Sequence, residues 1–168
     1  RKAVSNFRHN NIAIHGDTLY CIDLLSKKKL ENLKRKGLKP KDKPKLLALN
    51  LKDGKVRWQK DEGVFGTFLS YSKEHDILVQ GGSSFRDRAG DEVQDGISDY
   101  SGKDGKQLWT LDFRQSGPCM RWEDRILTNG NGGDAIDIKT GKRIDWKWFR
   151  QYGCNTAVGS QNLLTFRS

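Results

Sequence analysis

The residues with most to offer chemically are arginines that recur at equal spacing. Phe113-Arg114-Gln115-Ser116-Gly117 returns as Phe149-Arg150-Gln151-Tyr152-Gly153, 36 positions on, the interval that also separates Gly105 from Gly141. A guanidinium presents a planar fork of donors that matches a carboxylate or a phosphate bidentately. The same arginines can instead bond exposed carbonyls of their own turns, and on the residues alone that use carries more weight. Two further polar clusters, Arg8-His9-Asn10-Asn11 and Phe166-Arg167-Ser168, lie beside strand-like runs. No catalytic constellation stands out. His9, His15 and His75 lack metal-ligand spacing with one another or with Cys21, Cys119 and Cys154, so no metal site is expected. Gly130-Asn131-Gly132-Gly133-Asp134-Ala135 has the glycine spacing of a dinucleotide loop, but a turn-bearing strand follows it where a helix is required. Asp87, Asp91, Glu92, Asp95 and Asp99 match no calcium-loop spacing and read as a solvated acidic loop. Cys119 and Cys154 open corresponding runs. A disulfide between them needs Cα atoms within about 7 Å, and buried free thiols are the default.

Composition bounds what these residues can be mounted on. Of 168 residues, 35% are hydrophobic and 31% charged, with 18 glycines against 3 prolines. That is apolar enough for one folded domain and unlike a disordered or collagen-like chain. No apolar run approaches the length of a membrane-spanning helix. The first residue is Arg1 and not Met, so a longer polypeptide is expected, with its targeting signals unread. The net charge of +10 is concentrated: residues 27–45 hold ten Lys or Arg against Glu31 and Asp42, leaving +2 elsewhere. A charge this local makes nucleic acid an unexpected partner for the domain. The run reads as a solvated insertion, although it could also steer toward phosphate or anionic lipid.

An internal repeat organises the rest. Ala48-Leu49-Asn50-Leu51-Lys52-Asp53-Gly54-Lys55-Val56-Arg57-Trp58 returns at Asp99–Trp109, with Ser101, Gly105 and Trp109 in register, and again at Ala135–Trp146 with Asp137 and Gly141. Each copy is a strand, a tight turn whose glycine suits positive φ, and a second strand. The side chains of Asn50, Ser101 and Asp137 can bond turn amides. Extended outward, the copies give four short strands per unit. The first unit spans about 12–58 with an insertion at 23–45, the second about 65–111 with an insertion at 83–96, and the third about 118–148. The start of a fourth runs over about 155–168. Short strands with regular turns and a repeat of about 40 residues predict an all-β fold: a partial β-propeller of about three and a half four-stranded antiparallel blades. A short amphipathic helix near Leu24–Lys36, ended by Gly37 and packing Leu25, Leu30 and Leu33 downward, is expected in the basic insertion.

The repeat resembles the tryptophan-docking motif, Ala-x-Asp-x-x-x-Gly-x-x-x-Trp, of the pyrroloquinoline-quinone (PQQ)-like propeller family. That family includes quinoprotein alcohol dehydrogenases and the propeller lipoprotein of outer-membrane protein assembly. Ala48, Gly54 and Trp58 match, with Asn50 in the Asp position. Ala135, Asp137 and Gly141 match in the third copy, but Trp146 arrives one residue late, suggesting a bulge at Asp145. The second copy keeps Gly105 and Trp109 alone. The resemblance implies that the three Trp rings are wedged between blades and are structural, not a cofactor cage. It also implies further blades, supplied by the remainder of a longer chain, and a periplasmic or envelope location.

In a four-stranded meander alternate turns fall on opposite ends, so both insertions and both Phe-Arg-Gln connections project from one end. In the family that end is the mouth of a central funnel. Arg8, His9, Arg114, Arg150 and Arg167 are therefore the candidate ligand or partner residues, toward a protein partner or a small polar ligand. The expected function is a noncatalytic scaffold or binding platform with no cofactor. The alternative is a fragment of a PQQ- and calcium-dependent alcohol or sugar dehydrogenase. The adjacent-cysteine pair of those enzymes is absent here, and no Asp can be assigned as their base.

Overall fold

The computed structural model describes residues 7–23, 25, 27–40, 43–65, 68–82, 96–112, 119–128, 135–144, 157–160 and 163–166. Its first sheet consists of β1 (Phe7–His15), β2 (Thr18–Asp23), β3 (Lys45–Asn50) and β4 (Val56–Lys60). The second is β5 (Phe68–Ser72), β6 (Ile77–Gly81), β7 (Ile97–Ser101) and β8 (Gln107–Leu111). The third is β9 (Met120–Trp122), β10 (Arg125–Leu127), β11 (Ala135–Asp137) and β12 (Arg143–Ile144). A two-stranded sheet of β13 (Ala157–Ser160) and β14 (Leu163–Phe166) follows. All pairings are antiparallel between strands consecutive in the chain. Strand β1 lies beside β5, and β9 beside β13, so at these two junctions the first strands of adjacent sheets are neighbours. This is a β-propeller, each sheet forming a blade.

The strand sequences explain the layering. Tyr20-Cys21-Ile22, Leu46-Leu47-Ala48-Leu49 and Ile77-Leu78-Val79 are unbroken apolar runs because both faces of a blade's middle strands are covered, and all ten residues are buried. The outer strands β4 and β8 are largely exposed, and each carries a half-buried indole, Trp58 or Trp109, that faces the next blade. Alternation across the ladder sorts the side chains. Ala13, Tyr20, Ala48 and Trp58 form one row on the first blade and pack against Leu69, Leu78 and Tyr100 of the second. The second blade's other face carries Phe68, Val79, Ile97 and Trp109 against Cys119, Ile126, Ile136 and Ile138 of the third.

The three hairpin turns repeat bond for bond. The amides of Gly54, Gly105 and Gly141 donate to the carbonyls of Asn50, Ser101 and Asp137 at 2.8, 2.9 and 2.9 Å. The carboxylate of Asp137 also accepts from the Lys139 and Thr140 amides at 3.1 and 2.8 Å, and the Asn50 amide oxygen accepts from the Lys52 N–H at 2.8 Å. Gly105 and Gly141 have φ of 70° and 68°, and a Cβ on either would lie 2.6 Å from the ring of Trp58 or Trp109. Gly105→Ala therefore meets both backbone strain and the indole, and is expected to lower the unfolding free energy by about 2–4 kcal/mol. Urea denaturation checks this; a change below about 0.5 kcal/mol would contradict the close approach.

Helix α1 (Lys27–Arg35) lies between β2 and β3. It ends in a Schellman arrangement: the Gly37 amide donates to the Lys34 carbonyl at 3.0 Å, the Leu38 amide to the Leu33 carbonyl at 2.9 Å, and Gly37 has φ of 66°. One expectation is corrected. Leu33 is half-buried, but Leu30 is exposed and does not pack down, because the helix stands away from the blades along most of its surface.

Candidate functional site

Two kinds of position have chemical potential: the joints between blades and the central strands. At the first joint the Trp58 indole N–H donates to the Gly102 carbonyl at 2.8 Å, and the Tyr20 hydroxyl donates to the same oxygen at 3.2 Å. Tyr71 stacks between Tyr20 and His15, with ring centroids 5.1 and 4.8 Å apart, and its hydroxyl donates to Asp76 Oδ1 at 2.6 Å. Burial, reinforced by the Asp76 carboxylate, pushes the Tyr71 hydroxyl well above the ordinary phenol range, so it stays protonated. At the second joint the Trp109 indole donates to the Ile138 carbonyl at 2.9 Å. Gly102 and Ile138 hold the same place in their repeats, each one residue past Ser101 or Asp137. Arg121 Nη1 adds a pair with Glu74 Oε2 at 3.0 Å.

The interior polar groups divide sharply. Gln80 is fully buried, yet its amide donates to the Gly63 carbonyl at 2.9 Å and to the Tyr100 hydroxyl at 3.0 Å. Its oxygen accepts from the Phe65 amide at 3.2 Å. Asp99 is equally buried, and neither carboxyl oxygen finds a hydrogen-bond partner among the described residues. It stands in the row Ser70–Val79–Asp99–Trp109 on the face turned to the third blade, and the Ser70 hydroxyl also has no partner among the described residues. Ala48 and Ala135 hold the corresponding place in their own repeats. Burial raises the Asp99 carboxyl well above the usual carboxylate range, so the neutral acid is the buried form. The Cys119 thiol is pushed up by burial, which keeps this free thiol protonated and unreactive.

This corrects the reading of Asp99 as part of a solvated acidic loop. It is a strand residue sealed in a blade joint, and its former companions Asp87, Asp91, Glu92 and Asp95 lie outside the described residues. The sequence carried a usable signal: Ile97-Ser98-Asp99-Tyr100-Ser101 puts Asp99 where the other two repeats have Ala.

Of the candidate partner residues, Arg8 and His9 lie on β1, the first strand of its blade. They fall within a register shift between the Phe7–Asp23 and Ile12–Cys21 pairs. The chain leaves β2 for α1 after Asp23, at this same end of the blade. Arg114, Arg150 and Arg167 lie outside the described residues, as do Cys154, Trp146, Trp148 and the bulge expected at Asp145. Within the third blade the described register sets Ala135 opposite Ile144. Trp122 is half-buried, with the Arg125 guanidinium 5.9 Å from its ring centroid. Among the described residues no three His, Cys, Asp or Glu side chains converge as a metal set.

Fold and joints together define the class, a β-propeller with indole-linked blades. Among solved structures, the chain is similar to a europium-containing methanol dehydrogenase (16% identity, TM-score 0.53, covering 84% of this chain and 25% of that one). It is also similar to BamB from Moraxella catarrhalis (14% identity, TM-score 0.53, covering 83% and 37%). The computationally designed protein Ika4 matches at TM-score 0.63 and 11% identity, covering 99% of this chain and 91% of that one. The chain thus spans about a quarter of the methanol dehydrogenase and little over a third of BamB. No family model and no curated protein matches it.

Proposed function

We propose that this chain is part of a noncatalytic PQQ-like propeller that serves as a protein-interaction scaffold or ligand-binding platform in the periplasm or at the cell envelope. The observation that supports this most is where the interior polar groups go. Trp58, Trp109, Tyr20, Gln80 and Tyr100 are all engaged in joining or bracing blades. Asp99, the buried acid without a partner among the described residues, faces an apolar joint and not a cleft. The binding surface in this reading is the end that carries α1, with Arg8 and His9 on the central strand and Arg114, Arg150 and Arg167 as further donors to an acidic partner or small polar ligand.

The second reading, a piece of a PQQ-dependent dehydrogenase, is favoured by the likeness in fold to the methanol dehydrogenase. Two observations weigh toward the scaffold: the described residues bring no carboxylate set together, and Asp99 is buried in a blade joint. The full-length protein, given PQQ with Ca²⁺ or Eu³⁺, is expected to show no bound-quinone absorption band and no dye-linked alcohol oxidation. Either signal would replace the scaffold reading with the enzyme.

A further inference from the structure

The feature that blade architecture does not explain is α1. A nine-residue helix is shorter than the roughly 12–15 residues at which isolated helices become even marginally stable in water. Its first turn holds no acid and begins Lys27-Lys28-Lys29, cations at the positive end of the helix dipole. It also buries little: from Lys28 to Lys36 every described side chain but that of Leu33 is exposed. Leu30 and Leu38 remain 37% and 55% exposed in the midst of the basic run. Solubility alone would explain the lysines but not leucines held out among them.

Leu30 and Leu33 are three residues apart and so share one side of the helix, while Leu38 is brought back toward Leu33 by the Schellman cap. Lys34 borders that side, and Lys28, Arg35 and Lys36 lie around the remainder. Lysine stems reach across apolar surface while their ammonium groups stay at phosphate level. We propose that α1 with the turn that follows it, residues 27–40, docks on the surface of a bilayer rich in anionic phospholipid. The leucines enter the headgroup boundary and the lysines pair with lipid phosphates. The insertion's excess of eight positive charges supplies the complementarity, and negative charge near Lys27–Lys29 relieves the unfavourable dipole contact. Nucleic acid would be met by the same charges but leaves the exposed leucines unused. The docking does not depend on the scaffold reading, because α1 is an insertion outside the blades.

The test is co-sedimentation of the full-length protein with vesicles of phosphatidylcholine alone or mixed with phosphatidylglycerol. Binding is expected only to the mixed vesicles, and it should weaken steeply with added salt. Each basic residue removed near the surface should lower partitioning by roughly fivefold, so Lys28→Gln, Lys34→Gln, Lys36→Gln and Lys39→Gln together should lower it by more than about 100-fold. Leu30→Gln with Leu38→Gln, which leaves the charge unchanged, should still cost several-fold. These sites are solvent-exposed, so the variants should keep the parent's thermal midpoint, and that control accompanies the assay. Three results would overturn the proposal: no binding to phosphatidylglycerol vesicles at low salt, equal binding by the four-Lys variant, or preference for a short DNA duplex competitor over the vesicles.

Discussion

Trp58→Ala is expected to lower the unfolding free energy by about 3–5 kcal/mol, whereas Lys34→Ala should change it by no more than about 0.5 kcal/mol. The contrast follows from what each side chain touches. The Trp58 ring lies over Gly105 of the next blade, contacts Tyr20, whose ring centroid is 5.9 Å away, and donates to the Gly102 carbonyl. Truncation removes the ring, leaves a space that the rigid turn cannot fill, and strips the Gly102 carbonyl of one donor. Lys34 is exposed on a helix that barely touches the blades. Equal losses at both positions, measured by urea denaturation, would contradict the indole-linked joint.

The second large effect is a pH dependence carried by Asp99. An unfolded aspartate titrates near 3.9, while burial holds the folded carboxyl well above that. Between those two values the folded chain keeps a proton that the unfolded chain has lost. Stability is therefore full below about pH 4 and declines as pH rises toward the folded value, at about 1.4 kcal/mol per pH unit. The Asp99 shift comes from burial, and the neighbouring Cys119 thiol, itself pushed upward by burial, carries no charge to offset it. Asp104, held down by the Lys106 amide, and Asp137, held down by Thr140, act in the opposite direction and only at lower pH. Asp99→Asn should flatten the decline that begins above about pH 4. Asp99→Ala restores the residue found at Ala48 and Ala135, and should raise stability at pH 7 by about 1–3 kcal/mol. An Asp99→Asn variant with the same pH dependence as the parent above about pH 4, or an alanine variant less stable at pH 7, would contradict the buried neutral acid.

These two residues also mark how far the sequence could be read. Strands, turns and propeller architecture were legible because the repeat forces the same physical demand three times: a turn residue at positive φ, a side chain that binds turn amides, and apolar middle strands. Helix α1 was legible from its leucine spacing and its terminating Gly37. Asp99 was misread, since in a window with Asp87, Asp91, Glu92 and Asp95 it resembles one more loop acid, although its place in the repeat, where the other copies have Ala, already pointed to the interior position that its ladder partner Trp109 shows. Gln80 was missed for the mirror reason: an amide at the end of an apolar run gives no hint that the Gly63 carbonyl and the Tyr100 hydroxyl wait beside it. The exposure of Leu30 was equally hidden, because helical spacing reports that a face exists and not what covers it. The bulge around Arg8 and His9 breaks the period-two alternation on which strand reading relies.

Hydrogen exchange at the indole nitrogens tests the central claim most directly. With each resonance assigned by Trp→Phe substitution, the Trp58 and Trp109 Nε1–H protons should exchange at least roughly 100-fold more slowly than a free indole, since each donates across a blade joint to a backbone carbonyl. Exchange of both at the free-indole rate would show rings open to water and blades joined by something else.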